Sequence, residues 1–243
     1  MRNVRVHVEL DLAGQTEIEL PQGPAHHLLR VLRLRSGAHI TLFDGSGLEY
    51  PARIERLDSH GSCRVRLEPP RRPAVESSLK ISLIQAIGRG DRMDWCVQKA
   101  TELGVARIQP VYTERTEVRL DSARADKRRR HWQQIAIAAA EQSGRVQVPP
   151  VETPQALENL VDGATCGYYL DPAAGRGPGE LAPPEHALCP VVIGPEGGLS
   201  RNEIARLDGA GFLGLRLGPR VLRTETAGPV ILAVLQARFG DLA

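Results

Sequence analysis

Two stretches near the C-terminal end place backbone-exposing residues beside charged ones. The first is Val191-Val192-Ile193-Gly194-Pro195-Glu196-Gly197-Gly198-Leu199-Ser200. The second is Leu215-Arg216-Leu217-Gly218-Pro219-Arg220-Val221-Leu222-Arg223-Thr224-Glu225-Thr226-Ala227. In each, an apolar run of strand type ends in a glycine-bearing turn, and a helix start follows. Glycine lets backbone amides approach a ligand closely, and open α/β sheets hold ligands at the carboxyl ends of their strands. Such loops suit recognition of a small cofactor by main-chain groups. A ligand-free strand-to-helix connection accounts for the first stretch equally well on composition alone. For the second the plain alternative is capping chemistry, with Thr224 or Thr226 as cap and Glu225 favourable in the first turn, plus surface arginines. An Arg223–Glu225 surface ion pair would contribute little. Both stretches lie at strand ends and close together in the chain, which makes a shared pocket the stronger expectation.

The elements that must position these loops follow from periodicity. From Leu79 onward strands alternate with helices, the signature of an α/β domain. Strand-like runs cover 79–86, 108–112, 165–170, 188–193 and 212–217. The segment 89–103 carries Met93, Cys96, Val97, Ala100 and Leu103 at helical spacing, with Gly104 as a C-terminal cap. A longer helix is expected over 124–142, a short one after Ser200 with Glu203 completing a capping box, and an apolar one over 226–239. Before residue 70 the pattern is mostly β. Val4, Val6 and Val8 alternate with polar residues, Ile40, Leu42 and Phe43 lead into the turn Asp44-Gly45-Ser46-Gly47, and 53–56 and 63–67 extend the pattern around Ser59-His60-Gly61. One short helix is expected over 25–34, burying Leu28, Leu29, Leu32 and on one reading Val31. Closely spaced short strands suggest a small barrel. Pro69-Pro70-Arg71-Arg72-Pro73 cannot continue a sheet ladder, so the boundary is placed between residues 72 and 73.

Composition bounds the function. Of 243 residues 42% are apolar and 25% charged, with a net charge of +2; bulk charge therefore does not mark a nucleic-acid binder, and any RNA reading rests on local patches. No apolar run reaches the roughly 20 residues a membrane span needs. Residues 1–10 lack a signal-peptide core, so the expected location is the cytoplasm. Cys63, Cys96, Cys166 and Cys189 are widely spaced, which speaks for buried free thiols over a zinc site or disulfides. No metal is expected, and His26 and His27 read as structural. Trp95 and Trp132 sit at helical apolar positions and read as core.

The segments Gly194 to Ser200 and Leu217 to Thr226 resemble the paired motifs of the RsmE family in the SPOUT superfamily. The likeness extends to His26 to Arg33, Leu42-Phe43-Asp44-Gly45, Gln98-Lys99, Thr101 to Gly104, Ile135 to Gln142 and Leu235 to Asp241. It implies a PUA-like β-barrel RNA-binding domain (1–72), then an α/β SPOUT methyltransferase domain (73–243) with a C-terminal trefoil knot. It also implies a homodimer that uses S-adenosyl-L-methionine to methylate N3 of one uridine, uridine 1498, of 16S ribosomal RNA in the small subunit. By that resemblance Leu170, Gly194, Pro195, Glu196, Gly197, Gly198, Leu217, Gly218, Arg220, Val221, Leu222 and Thr224 hold the cofactor, with Leu170-Asp171 as a third wall. After Thr226-Ala227 the family continues with small helix formers, whereas this chain has Gly228-Pro229.

Uracil N3 carries a proton and attacks a methyl group poorly until it leaves, so a base or a cation that stabilises the anion is required. Arg223 is the candidate for orienting the base or stabilising the anion. Glu196 and Glu225 are candidates for proton acceptance, unranked by sequence. Arg30, Arg33 and Arg35 are candidate RNA contacts, as is Arg128 within the basic run 124–130, for which a solvated helix face is an equal reading. Two other functions fit the same chain: a ribose 2′-O-methyltransferase of this superfamily, and a ribosome-assembly factor without catalysis.

Overall fold

The structure is a computed structural model, and it describes residues 4–57, 62–161, 167–184 and 187–242. The turn placed at Ser59-His60-Gly61, the first two residues of the strand expected over 165–170, and Cys166 lie outside the described residues. The chain forms two compact units, one of residues 1–76 and 140–148, the other of residues 77–139 and 149–243.

The first unit is built on strands β1 (Arg5–His7), β2 (Glu17–Glu19), β3 (His39–Phe43), β4 (Glu49–Leu57) and β5 (Cys63–Leu67), in the order β1-β3-β4-β5-β2. Alternation along β5 buries Cys63 and Val65 and exposes Arg64 and Arg66. With Leu12, Leu28, Leu42 and Ile54 they form the core of this unit. Asp44 turns the chain after β3 by accepting the Ser46 and Leu12 amides at 3.0 and 3.1 Å. Burial raises its carboxyl, but these hydrogen bonds outweigh it and hold the group below the usual carboxylate range. Residues 140–148 are held here by Glu76, whose Oε1 accepts the Val146 and Gln147 amides and whose Oε2 lies 2.8 Å from Arg145 Nη2.

The helix expected over 25–34 begins earlier, as α1 (Gln22–His26), and passes directly into a π-helical turn, His27–Val31. A π turn takes more residues per revolution than an α turn, so the three-four spacing no longer keeps one face inward. Leu28 is buried, but Val31 and Leu32 are 62% and 38% exposed, against the expectation that Leu32 packs inside. Arg33 follows in the left-handed region at φ 52°.

The second unit is an all-parallel sheet with helices. Its strands are β6 (Ile81–Ala86), β7 (Arg107–Tyr112), β8 (Gln155–Ala156), β9 (Tyr168–Leu170), β10 (Cys189–Ile193) and β11 (Leu213–Leu215), in the order β11-β9-β10-β6-β7-β8. Every residue of β6 and β10 is buried, as expected for central parallel strands covered on both faces. The helices are α2 (Arg92–Glu102), α3 (Ser122–Ser143), α4 (Glu158–Val161), α5 (Arg201–Gly209) and α6 (Thr224–Phe239). Asp94 on α2 accepts Trp132 Nε1 at 3.0 Å and contacts His131 Nε2 at 2.7 Å, which pins α2 to α3. Trp132 is 2% exposed, whereas Trp95 is 45% exposed and does not join the core; its position on α2 faces away from the face that Met93, Cys96 and Val97 bury.

Strand β11 sits at one edge of the sheet, yet α6 packs against α2, β6 and β10. The segment 216–223 therefore carries the chain back across the sheet end. Helix α6 starts two residues earlier than expected, with Arg223 as an N-cap that makes no side-chain cap. Pro229 thus falls in the second turn rather than the first, where its missing N–H removes one helical hydrogen bond. The capping box of α5 is complete: the Glu203 amide donates to Ser200 Oγ at 3.1 Å and the Ser200 amide to Glu203 Oε2 at 2.7 Å. Ser200→Ala should lower the free energy of unfolding by about 1 kcal/mol, read as a shift of the urea midpoint with unchanged slope.

Candidate cofactor site

The two glycine loops meet. The loop after β10 and the segment before α6 line one cavity of about 620 Å³, closed on a third side by Leu170, Asp171, Pro172 and Ala173 after β9. This size lies within the range of about 300–1,000 Å³ usual for small-molecule sites. Its apolar wall includes Ile193, Leu199, Leu215, Leu217 and Leu222, and its charged groups include Arg92, Arg115, Asp171, Glu196 and Glu225.

The geometry of the first loop is forced by close backbone approach. The Gly198 amide closes a tight turn on the Pro195 carbonyl at 2.9 Å, and Gly198 takes φ +70°. A Cβ on Gly194 would lie 3.0 Å from the Leu199 nitrogen, which any side chain there would have to displace. Arg115 clamps the loop from outside, its Nη1 donating to the carbonyls of Gly197 at 2.8 Å and Leu199 at 3.2 Å. The loop joins the other segment through Thr224, whose hydroxyl donates to the Gly194 carbonyl at 2.7 Å. Thr224 is therefore not a cap of its helix but a tie between the loops.

Of the residues expected to hold the cofactor, Leu170, Gly194, Pro195, Glu196, Gly197, Gly198, Leu217, Arg220, Val221, Leu222 and Thr224 all line the cavity, with Arg223 and Glu225. Gly218 does not line it; at φ +72° it turns the chain between Leu217 and Arg220. The two acidic candidates differ. Glu196 Oε1 accepts the Arg89 amide at 3.1 Å and pairs with Arg92 Nη1. Burial raises the Glu196 carboxyl, but its own amide, the Arg89 amide and Arg92 together hold it below the ordinary range. Such a group stays ionised and is a poor proton acceptor; it organises the loop. Glu225 Oε1 stands 3.7 Å from Arg92 Nε, and its Oε2 is buried without a hydrogen-bond partner, so Glu225 pairs with Arg92 rather than with Arg223. Arg223 is exposed and makes no side-chain hydrogen bond or ion pair to a described residue.

The candidate RNA contacts lie elsewhere. Arg30, Arg33 and Arg35 are exposed in the first unit. Arg128 is exposed on α3, where Arg124 pairs with Asp121, and Arg129 and Arg130 with Asp126. Sequence reasoning missed Arg115, Arg92 and Gln85. For Arg115 a usable signal was its place just beyond the carboxyl end of β7; for Gln85, a lone amide in a buried strand that demands partners.

The chain, with an α/β unit that carries a cofactor-sized cavity at its strand ends and a small β unit, matches known proteins along its length. Residues 75–236 match the family described as an RNA methyltransferase domain, and residues 24–68 that described as an RNA methyltransferase PUA domain. The ribosomal RNA small subunit methyltransferase E of Buchnera aphidicola is 30% identical, over 98% of each chain. A putative methyltransferase from Legionella pneumophila, solved with bound S-adenosylmethionine, is 40% identical with a TM-score of 0.94, over 100% of both chains. The ribosomal RNA small subunit methyltransferase E of Neisseria gonorrhoeae, also bound to S-adenosylmethionine, is 37% identical with a TM-score of 0.93, again over 100% of both chains. The fold and site thus define an RNA methyltransferase. The chain belongs to the ribosomal RNA small subunit methyltransferase E family. Among the described residues no helix is long and apolar enough to cross a membrane.

Because the Glu196 carboxyl is depressed in the folded state, its contribution to stability is full above its ordinary value of 4.5 and is lost as pH falls through the lower folded value. The difference in thermal midpoint between the parent and Glu196→Gln should therefore be largest near neutral pH and vanish in acid; a gap that persists in acid would contradict the pairing.

Proposed function

We propose that this protein methylates N3 of a single uridine, uridine 1498, in 16S ribosomal RNA of the small subunit, with S-adenosyl-L-methionine as donor. The observation that carries the reading is the convergence of the Gly194–Gly198 and Leu217–Leu222 loops on one cavity. The residues present fit that donor: main-chain groups bared by glycine suit an adenine, the apolar wall suits its uncharged surface, and Asp171 and Glu225 suit its cationic groups. When bound, it supplies a methyl group on a sulfonium, which is already activated for displacement.

The remaining work falls to the chain. The two loops would hold the donor through their main-chain groups, and a fixed position for its methyl group is what would bring the attacking nitrogen to it. Arg223, unpaired and at the cavity wall, holds the uracil and the negative charge it develops as N3 loses its proton. Glu225 is the better placed of the two acids to accept that proton, since Glu196 is occupied by Arg92 and the Arg89 amide. The exposed arginines Arg30, Arg33 and Arg35, with Arg128, contact RNA phosphates; the protein acts as a homodimer in the cytoplasm, and the return of the chain through 216–223 forms a trefoil knot around the cofactor.

Incubation with methyl-labelled donor and small subunits lacking this modification tests the proposal. Label should map to one uridine as a base methylation that removes N3–H. Ribose methylation or no transfer would overturn it. Arg223→Ala should lower kcat on the order of a hundredfold with little change in donor affinity; an unchanged rate would remove Arg223 from the mechanism.

A further inference from the structure

A buried line of hydrogen bonds runs from the sheet to the cavity. Gln85 on β6 is 2% exposed. Its Oε1 accepts the Cys96 thiol at 3.3 Å, and its Nε2 donates to the Ala86 carbonyl at 3.2 Å and to Thr224 Oγ1 at 2.9 Å. Burial, aided by the charge of Glu225, pushes the Cys96 thiol up to about 12, so the sulfur keeps the proton it donates. The line has one direction. Both amide hydrogens of Gln85 are used, Thr224 accepts one of them, and its own hydrogen is thereby committed to the Gly194 carbonyl at 2.7 Å. Reversing the amide would set Oε1 against the Ala86 carbonyl and leave the thiol facing a donor.

The same line accounts for Gly228. A Cβ there would lie 3.0 Å from Gln85 Oε1 and 3.4 Å from Cys96 Sγ. A glycine in a helix interior costs about 1 kcal/mol relative to alanine, so the unusual Gly228 is the space that lets Gln85 keep its place.

We propose that Gln85 is a positioning residue for methyl transfer: acting through Thr224, it fixes the Gly194 carbonyl and so the separation of the two cofactor loops, and Gly228 is small in order to leave it there. The inference rests on the reading of the cavity as the S-adenosylmethionine site.

Calorimetry with S-adenosylmethionine, together with KM and kcat, tests it on Gln85→Leu, Thr224→Val, Thr224→Ser, Gly228→Ala and the Gln85→Leu/Thr224→Val pair. Gln85→Leu and Thr224→Val should each weaken donor binding about tenfold, because each breaks the line at the Gln85–Thr224 hydrogen bond. The pair should be no weaker than the worse single variant, because both break one line. Thr224→Ser keeps the hydroxyl and should restore most of the binding that Thr224→Val loses. Gly228→Ala should bind more weakly even though alanine favours the helix, and in every variant that binds more weakly KM for the donor should move more than kcat. Gln85→Leu that folds and binds within about twofold of the parent, or a pair whose losses add, would overturn the proposal. Should Gln85→Leu not fold, Gly228→Ala decides: weakened binding supports the proposal and parental binding overturns it. If the unsubstituted protein itself gives no saturable heat, the reading of the cavity falls, and the inference with it.

Discussion

Thr224 reaches across from the start of α6 and donates its hydroxyl to the Gly194 carbonyl at 2.7 Å. The sheet alone does not bring these residues together. Strands β10 and β11 are separated by β9, so their loops need a tie if they are to share one cavity wall. The hydroxyl of Thr224 is that tie, and its environment is arranged to keep it. Gln85 supplies a donor from behind, Arg115 holds the far side of the glycine loop through the Gly197 and Leu199 carbonyls, and Glu203 accepts the Glu114 amide at 2.8 Å while completing the cap of α5. Thr224 and Arg115 thus bond directly to carbonyls of the glycine loop, and Gln85 and Glu203 brace the residues beside it. A loop built of glycine and proline cannot hold its shape by packing, and its neighbours hold it by hydrogen bonds.

Charge is arranged with the same economy. Arg92 lies between Glu196 on the first loop and Glu225 in the first turn of α6. It pairs closely with Glu196 and more loosely with Glu225, whose Oε1 stands 3.7 Å from Arg92 Nε. Arg223 stays out of this network. Its backbone carbonyl serves the first turn of α6, accepting the Thr226 and Ala227 amides, each at 2.9 Å, and its side chain is exposed at the cavity wall.

Much of this was legible in the sequence, for identifiable reasons. Parallel strands buried on both faces read as apolar runs, and the capping box at Ser200 and Glu203 has a local signature that needs no tertiary context. The glycine loops announced themselves because only glycine tolerates such approach, as the 3.0 Å gap between a Gly194 Cβ and the Leu199 nitrogen shows. The failures are equally physical. The π turn at His27–Val31 broke the three-four spacing on which the burial of Leu32 was argued. Trp95 has helical spacing but lies outside the apolar stripe of α2. Thr224 looked like a cap because threonine so often is one, and its true acceptor lies thirty residues back in the chain. Arg115 stands 82 residues from the carbonyl of Gly197 that it clamps, a distance no periodicity can bridge. Short elements such as β8 and α4 left no pattern at all.

The central claim is that one ligand is gripped by two loops at once. Hydrogen–deuterium exchange with and without S-adenosylmethionine tests it most directly, since both loops are held by main-chain groups whose amides report contact. The account predicts that saturating donor slows exchange across 194–199 and across 217–224 together, at the same ligand concentration. Protection of one loop without the other, or of neither while the ligand is bound elsewhere, would contradict it.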